Sequence, residues 1–218
     1  MNGFVKHKPN VLGRDFVCGD IHGCYSDLED ALARIKFDKS TDRLFSVGDL
    51  ADRGPESKKA LDYIKQPWFF PVLGNHEDMF LQCWVDKIAD HQWHFSNGGE
   101  WVLELSPEEI TEYGRALRDL PLIIQVGNYL VLHSLFPKVE DVAQAESSLE
   151  DFREYILWER DRRWNLRVKD IDLIYAGHTI VKEPTRMGCI LDIDTGAFLK
   201  YWGQQTSLTV LELGKEHL

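Results

Sequence analysis

The sequence predicts a mixed α/β fold, and three observations predict it. Through the first half, short apolar runs alternate with helical stretches of about ten residues, the pattern of parallel βαβ units. The second half changes to a hairpin followed by late strands. The strand-like runs of the first half each end on a glycine beside Asp or Asn. Two sheets, or one large mixed sheet, fit this pattern.

The elements follow in order. Asp15 to Cys18 is a short apolar strand that ends at Gly19-Asp20. Ser26-Asp27-Leu28-Glu29 has capping-box spacing, with Ser26 as N-cap and Glu29 reaching back. Leu28, Leu32 and Ile35 then give one buried helical stripe. Arg43 to Val47 is a second strand, ending at Gly48-Asp49. Ser57 to Lys65 carries Ala60, Leu61 and Ile64 on one face and reads as a helix. Trp68 to Leu73 is a third strand, and Glu77 to Ile88 a third helix. Ser106-Pro107-Glu108-Glu109 starts another helix, with Pro at its first position. Leu122 to Val126, Gly127-Asn128 and Tyr129 to Leu132 form a hairpin with a two-residue turn. Ile171 to Tyr175 is a strand ending near Gly177-His178. Cys189 to Ile193 and Ser207 to Leu213 read as late antiparallel strands. No repeat or linker interrupts the chain, so residues 1–218 are expected to form a single domain.

Composition narrows the function. The 44% hydrophobic fraction excludes disorder, and no apolar run approaches the ~20 residues of a membrane span. Met1 to Asn10 has no apolar stretch behind its lysines, so no secretory signal is expected there. Cys18, Cys24, Cys83 and Cys189 have no CxxC spacing, which fits reduced thiols and a cytoplasmic location. The net charge of −11 argues against nucleic acid as the main partner.

Chemistry concentrates at the strand ends. Gly19-Asp20-Ile21-His22-Gly23, Gly48-Asp49-Leu50-Ala51-Asp52-Arg53-Gly54, Gly74-Asn75-His76-Glu77, His133-Ser134 and Gly177-His178-Thr179 each place metal-ligand types after a strand. The carboxyl ends of strands line the ligand crevice in open α/β sheets. Asp20 and Asp49 are 29 residues apart and Asp49 and Asn75 are 26, each about one βαβ unit. Parallel neighbours at that spacing bring the three side by side. One Gly-Asp or Gly-Asn pair is ordinary turn chemistry, but an ordered series of them after strands is not. Asp20, His22, Asp49, Asn75, His133 and His178 form a mixed oxygen and imidazole set that suits Mn²⁺, Fe or Zn²⁺. Six such ligands hold two metals if one carboxylate bridges, and Asp49, after the middle strand, is the natural bridge. Two metals ~3.5–4 Å apart clamp a phosphoryl group and generate a hydroxide between them. With two Asp and that hydroxide the centre sums to about +1, which draws phosphate despite the acidic chain. Arg53 offers a planar fork for phosphate oxygens. His76 is placed to protonate a leaving alkoxide, with Asp52 orienting it.

These motifs resemble those of the PPP family of metallophosphoesterases, whose pattern is GDxHG, GDxxDRG and GNHE followed by two further His. The forms Val131-Leu132-His133-Ser134 and Ala176-Gly177-His178-Thr179 are similar to those of the bacterial and phage-lambda type serine/threonine protein phosphatases. The likeness runs from about Val17 to Thr195. It implies a calcineurin-like β-sandwich of two mixed sheets flanked by helices, around a dinuclear centre. It implies that Asp20, His22 and Asp49 hold one metal, and that Asn75, His133 and His178 hold the other with Asp49 bridging. It further implies His76 as general acid, Asp52 as its partner, and Arg53 as a phosphate contact. A second phosphate arginine is expected between the last two histidines, and Arg162 best suits the family spacing among Arg160, Arg162 and Arg163. Many relatives have Arg directly before GNHE, where this sequence has Leu73, so one phosphate contact is either missing or supplied elsewhere, with Arg160 or Arg163 as the candidates.

The expected activity is hydrolysis of phosphoserine and phosphothreonine in proteins, with phosphotyrosine also accepted, by direct attack of the metal-bridging hydroxide. The expected cofactors are two divalent ions, Mn²⁺ foremost. The expected partners are phosphorylated proteins, with no nucleic-acid or membrane partner, and the chain itself is expected to be a monomer. The rival enzyme is the symmetrical diadenosine tetraphosphate hydrolase. That group typically lacks the acid at position 52 and has Asp where this chain has Glu77. A non-catalytic phosphoprotein-binding module is the alternative from another class. Trp68, Trp84, Trp93 and Trp101 are expected in the core. His91-Gln92-Trp93-His94 is expected as a loop over the site, and Cys24 as a buried thiol.

Overall fold

The computed structural model describes residues 3–161 and 166–215. Arg162 and Arg163 therefore lie outside the described residues.

Among the described residues, ten strands form two sheets. The first holds β1 (Phe4–His7), β5 (Ile123–Val126), β6 (Tyr129–Leu132), β7 (Leu173–Ala176), β9 (Ile190–Asp192) and β8 (Thr185–Met187), in that order. The second holds β10 (Val210–Glu212), β2 (Asp15–Cys18), β3 (Arg43–Ser46) and β4 (Phe69–Pro71). Strands β2, β3 and β4 are mutually parallel, as the βαβ spacing requires, and β6, β7 and β9 are also mutually parallel. The motifs singled out in the sequence sit at the carboxyl ends of β2, β3, β4, β6 and β7.

The sheets pack face to face because their strands alternate. Val17, Phe45, Val131, Leu173 and Tyr175 point into the layer between the sheets. Their neighbours Phe16, Leu44, Leu130, Leu132 and Ile174 point outward, into the core shared with the helices. This is the two-residue period of a sheet buried on both faces. The helices are α1 (Tyr25–Arg34), α2 (Ala60–Ile64), α3 (Asn75–Phe80), α4 (His91–Phe95), α5 (Pro107–Arg118), α6 (Val142–Ser147) and α7 (Arg153–Trp158).

Several elements differ from their sequence reading. Ser26 does not cap α1: the N-cap is Cys24, and the Ser26 amide and hydroxyl both bond to Glu56 at 2.6 and 2.9 Å. A carboxylate from another segment outcompetes the local Glu29, which instead accepts from Tyr63 and Lys39. The third helix begins at Asn75, two residues early, because Glu77 reaches back to the Gly74 amide at 3.0 Å; it passes into a π-turn over Leu81–Val85. Residues 57–65 form a 3-10 turn followed by the five-residue α2. The stretch His91–Phe95 is a short helix, capped by Asp90, rather than a loop. Of the late strands, β10 is antiparallel to β2, whereas β9 runs parallel to β7 and antiparallel to β8. The capping box at Ser106 is present in full, with Ser106 Oγ accepting from Glu109 N and Glu109 accepting from Ser106 N.

Candidate metal centre and active site

The candidate ligands arrive from both sheets. Asp20 follows β2, Asp49 follows β3, Asn75 opens α3 after β4, His133 follows β6 and His178 follows β7. His133 Nδ1 donates to the Val47 carbonyl at 2.8 Å, which joins the end of one sheet to the end of the other. The backbone is strained where these residues sit. His22, Asp49, Asp52, Arg53 and His178 all have positive φ, between 44° and 70°. Non-glycine residues take that region at a cost, and such outliers gather at functional sites. Gly177 admits no side chain: a Cβ there would lie 1.9 Å from Asp20 Oδ1.

Asp49 lies between two halves of the site. Its Oδ2 is 3.3 Å from His22 Nε2, and its Oδ1 is 3.4 Å from His133 Nε2. His22, Asp49 and His76 bring one ligand atom each within 4.8 Å of one another, and so do Asp49, His133 and His178. Asn75 Oδ1 lies 2.7 Å from His133 Nε2 and 2.8 Å from His178 Nδ1. Asp20 takes the His178 amide on both oxygens, at 3.0 and 3.2 Å.

The outer nitrogen of each imidazole fixes its tautomer. His22 Nδ1 donates to the Ala51 carbonyl at 2.9 Å, His133 Nδ1 to Val47 and His178 Nε2 to Trp158 at 3.2 Å. Each ring then turns an unprotonated nitrogen toward the centre, as a metal-ligating His with a carbonyl partner does. Burial, with the Asp49 and backbone contacts outweighed, holds His133 below the usual imidazole range; burial and neighbouring His133 hold His178 lower still. His133 Nε2, His178 Nδ1 and Asn75 Oδ1 lie 2.7–3.2 Å from one another, an arrangement that a cation satisfies. The donor set fits two divalent ions of the Mn, Fe or Zn type.

The carboxylates respond to this crowding. Burial would raise the Asp49 carboxyl, but His133, His76, His22 and Arg53 outweigh it and hold Asp49 well below its ordinary value. Burial, then the charges of Asp194 and Asp49, push Asp20 well above its own. Asp194, buried after β9, was not indicated by any motif and is pushed up to about 6, chiefly by burial.

Two groups complete the site. Arg53 donates to His22 Nε2 and His76 Nε2, both at 2.8 Å, and lies 4.7 Å over the Phe198 ring. His76 Nδ1 donates to Asp52 Oδ2 at 2.7 Å, so its Nε2 faces the centre, 3.9 Å from Asp49 Oδ2. Glu77 is wholly buried and accepts from the amides of Asp49, Leu50 and Gly74, pinning the second motif to the third. Leu73 is buried, and Arg160 gives its guanidinium to the His178 carbonyl at 2.9 Å, at the edge of the site. Cys24 is buried, and burial pushes its thiol up to about 12, which makes it inert. The expectation of four core tryptophans needs correction at Trp93, which stacks on Trp158 instead; Trp68 is in the core, and Trp84 and Trp101 pack against it, half-buried, while giving their indole N–H groups to His94 and Asp52.

Comparison with known proteins agrees with this geometry. The model of the calcineurin-like phosphoesterase family matches residues 16–182. Serine/threonine-protein phosphatase 2 of Salmonella typhimurium (strain LT2) is 36% identical over 196 residues, which covers 84% of this chain and 87% of that protein. The symmetrical bis(5'-nucleosyl)-tetraphosphatase of Dechloromonas aromatica is 36% identical over 154 residues, 65% of this chain and 54% of that protein. A crystal structure provisionally described as a diadenosine tetraphosphatase shares the fold, with a TM-score of 0.67 at 22% identity over 97% of this chain and 94% of that one. Two mixed sheets flanked by helices, strand-end motifs on one rim and a family match over most of the chain make this protein a phosphoester hydrolase of the calcineurin-like phosphoesterase family.

Proposed function

We propose that the protein is a metal-dependent serine/threonine protein phosphatase. The observation that carries this reading is the buried Asp52–His76 pair, with His76 Nδ1 bonded to Asp52 at 2.7 Å and Nε2 turned to the centre. Serine and threonine alkoxides are poor leaving groups and need a proton as the ester bond breaks. An imidazole held by a carboxylate supplies one. A nucleoside polyphosphate leaves with less help, so a tetraphosphate hydrolase has less use for the pair.

Asp20, His22 and Asp49 would hold one ion, and Asn75, His133 and His178 the other, with Asp49 shared. When bound, two such ions, Mn²⁺ foremost, supply Lewis-acid polarisation of the phosphoryl group and activation of the attacking water. The chain's own residues do the rest. Arg53 binds the phosphoryl oxygens through its fork and orients the ester. His76, in its doubly protonated form with Nδ1–H held by Asp52, donates the Nε2 proton to the departing serine or threonine oxygen. Arg160, which donates to the His178 carbonyl, is a candidate beside Arg162 for the second phosphate contact.

The test is a substrate comparison on protein treated with chelator and restored with Mn²⁺. A phosphoserine peptide should be hydrolysed with a higher kcat/KM than diadenosine tetraphosphate. Preference for the dinucleotide contradicts the reading, and failure to turn over even an aryl phosphate points to a binding module.

A further inference from the structure

Asp52 is held by more than His76. Its Oδ2 accepts a second bond, from His94 Nε2 at 2.9 Å, and its Oδ1 accepts from Trp101 Nε1 at 2.6 Å. His94 is completely buried and 42 residues away in sequence. Its tautomer is fixed from behind: Trp84 Nε1 donates to His94 Nδ1 at 2.9 Å, so the proton sits on Nε2 and points at Asp52. The ring has no other way to lie. A Cβ on Gly99 would come within 2.4 Å of it, and Phe80 meets it edge-on at 6.0 Å. The same segment grips the second motif directly, because the Gly98 carbonyl accepts from the Arg53 amide at 3.1 Å.

A buried carboxylate with one partner can rotate about its Cα–Cβ and Cβ–Cγ bonds. Three donors on two oxygens fix both the plane and the tilt. Burial would raise the Asp52 carboxyl, but bonds from His76 and His94 outweigh it and keep it ionised.

We propose that His94 and Trp101 are positioning residues for proton donation: they lock the Asp52 carboxylate so that its Oδ2 holds His76 with Nε2 aimed at the leaving oxygen. Neither residue touches the reacting atoms. This rests on the reading of His76 as general acid. A purely structural role would lower all activities together. A positioning role weighs on substrates whose leaving group needs the proton.

The experiment measures kcat and KM for Mn²⁺-loaded wild type, His94→Leu, His94→Gln, Trp101→Phe and His76→Asn on a phosphoserine peptide and on an aryl phosphate. His76→Asn is the reference. General-acid catalysis is worth ~10²–10⁴-fold, so His76→Asn should lose that much more on the peptide than on the aryl ester. His94→Leu should lose kcat on the peptide roughly ten-fold more than on the aryl ester, an intermediate share of that range, with KM little changed. His94→Gln keeps a donor toward Asp52 and an acceptor for Trp84, and should restore most of the peptide activity. Trp101→Phe keeps the ring without the N–H and should show the same bias more weakly. It also decides the matter if His94→Leu does not fold. Equal losses on both substrates for the His94 and Trp101 variants, beside a biased His76→Asn, overturn this proposal and leave the acid role intact. Equal losses in His76→Asn itself remove the acid role, and this proposal with it.

Discussion

Asp49 presents one oxygen to His22 and the other to His133, so a single substitution there reaches both halves of the centre. Asp49→Asn should cut kcat on an aryl phosphate by at least ~10²-fold, the scale of disturbing metal or oxyanion stabilisation. Turnover within a few-fold of wild type would show that Asp49 is not shared. Arg53→Ala removes the fork that spans His22 and His76; KM should rise and inhibition by inorganic phosphate should weaken, which steady-state kinetics with phosphate as inhibitor will measure. At this scale the sequence was most legible where chemistry demands a residue type at a fixed place after a strand. Asp20, His22, Asp49, Asn75, His133 and His178 stood out as candidates for that reason, and the structure brings Asp49, His133 and His178 within 4.8 Å of one another. His94 and Trp101 could not, because their partner Asp52 lies 42 and 49 residues away and no local spacing encodes that meeting. The nearest signal was the Gly98-Gly99 pair, which marks a close approach without naming what approaches. Arg162 lies outside the described residues.

Local patterns predicted elements well when nothing distant competed. Ser106 and Glu109 share their capping box with no other segment, and α5 starts as the spacing requires. Ser106→Ala should cost about 1 kcal/mol in a denaturant melt and leave kcat unchanged. Ser26 and Glu29 have the same spacing, yet Glu56 takes Ser26, and the helix boundary moves. Strands β1 and β8 escaped the sequence reading because four and three residues give no usable alternation, and β8 is exposed throughout. Pairing with β5 and β9 makes them strands. Asp42 shows what fixes the entry to the second sheet. It accepts from Arg14 N, Asp38 N and the Arg14 guanidinium. Burial alone would raise its carboxyl, but these bonds outweigh it and hold it below the ordinary range. The folded value therefore lies below the unfolded one, near 3.9. The stabilisation is present above that pH and is lost as pH falls through the folded value. Asp42→Asn should cost about 1–3 kcal/mol at pH 7, and urea melts should show the gap to wild type closing toward pH 3.

The whole molecule gathers a set of nitrogen and oxygen donors suited to cations on an acidic chain. The net charge is −11, no helix among the described residues is long and apolar enough to cross a membrane, and the strand ends of two sheets converge on one group of nitrogen and oxygen donors. The fold makes that convergence: β2, β3 and β4 deliver three motifs side by side, and His133 and His178 come across from the other sheet. Aryl phosphatase activity should vanish on chelation and return best with Mn²⁺, which a metal series on chelated protein will rank. The most direct measurement is anomalous diffraction at the manganese edge from crystals of chelated protein soaked in Mn²⁺. The account predicts two peaks ~3.5–4 Å apart with Asp49 between them, one beside Asp20 and His22 and the other beside Asn75, His133 and His178. A single peak, or two that do not share Asp49, in crystals of protein active with Mn²⁺ would contradict it.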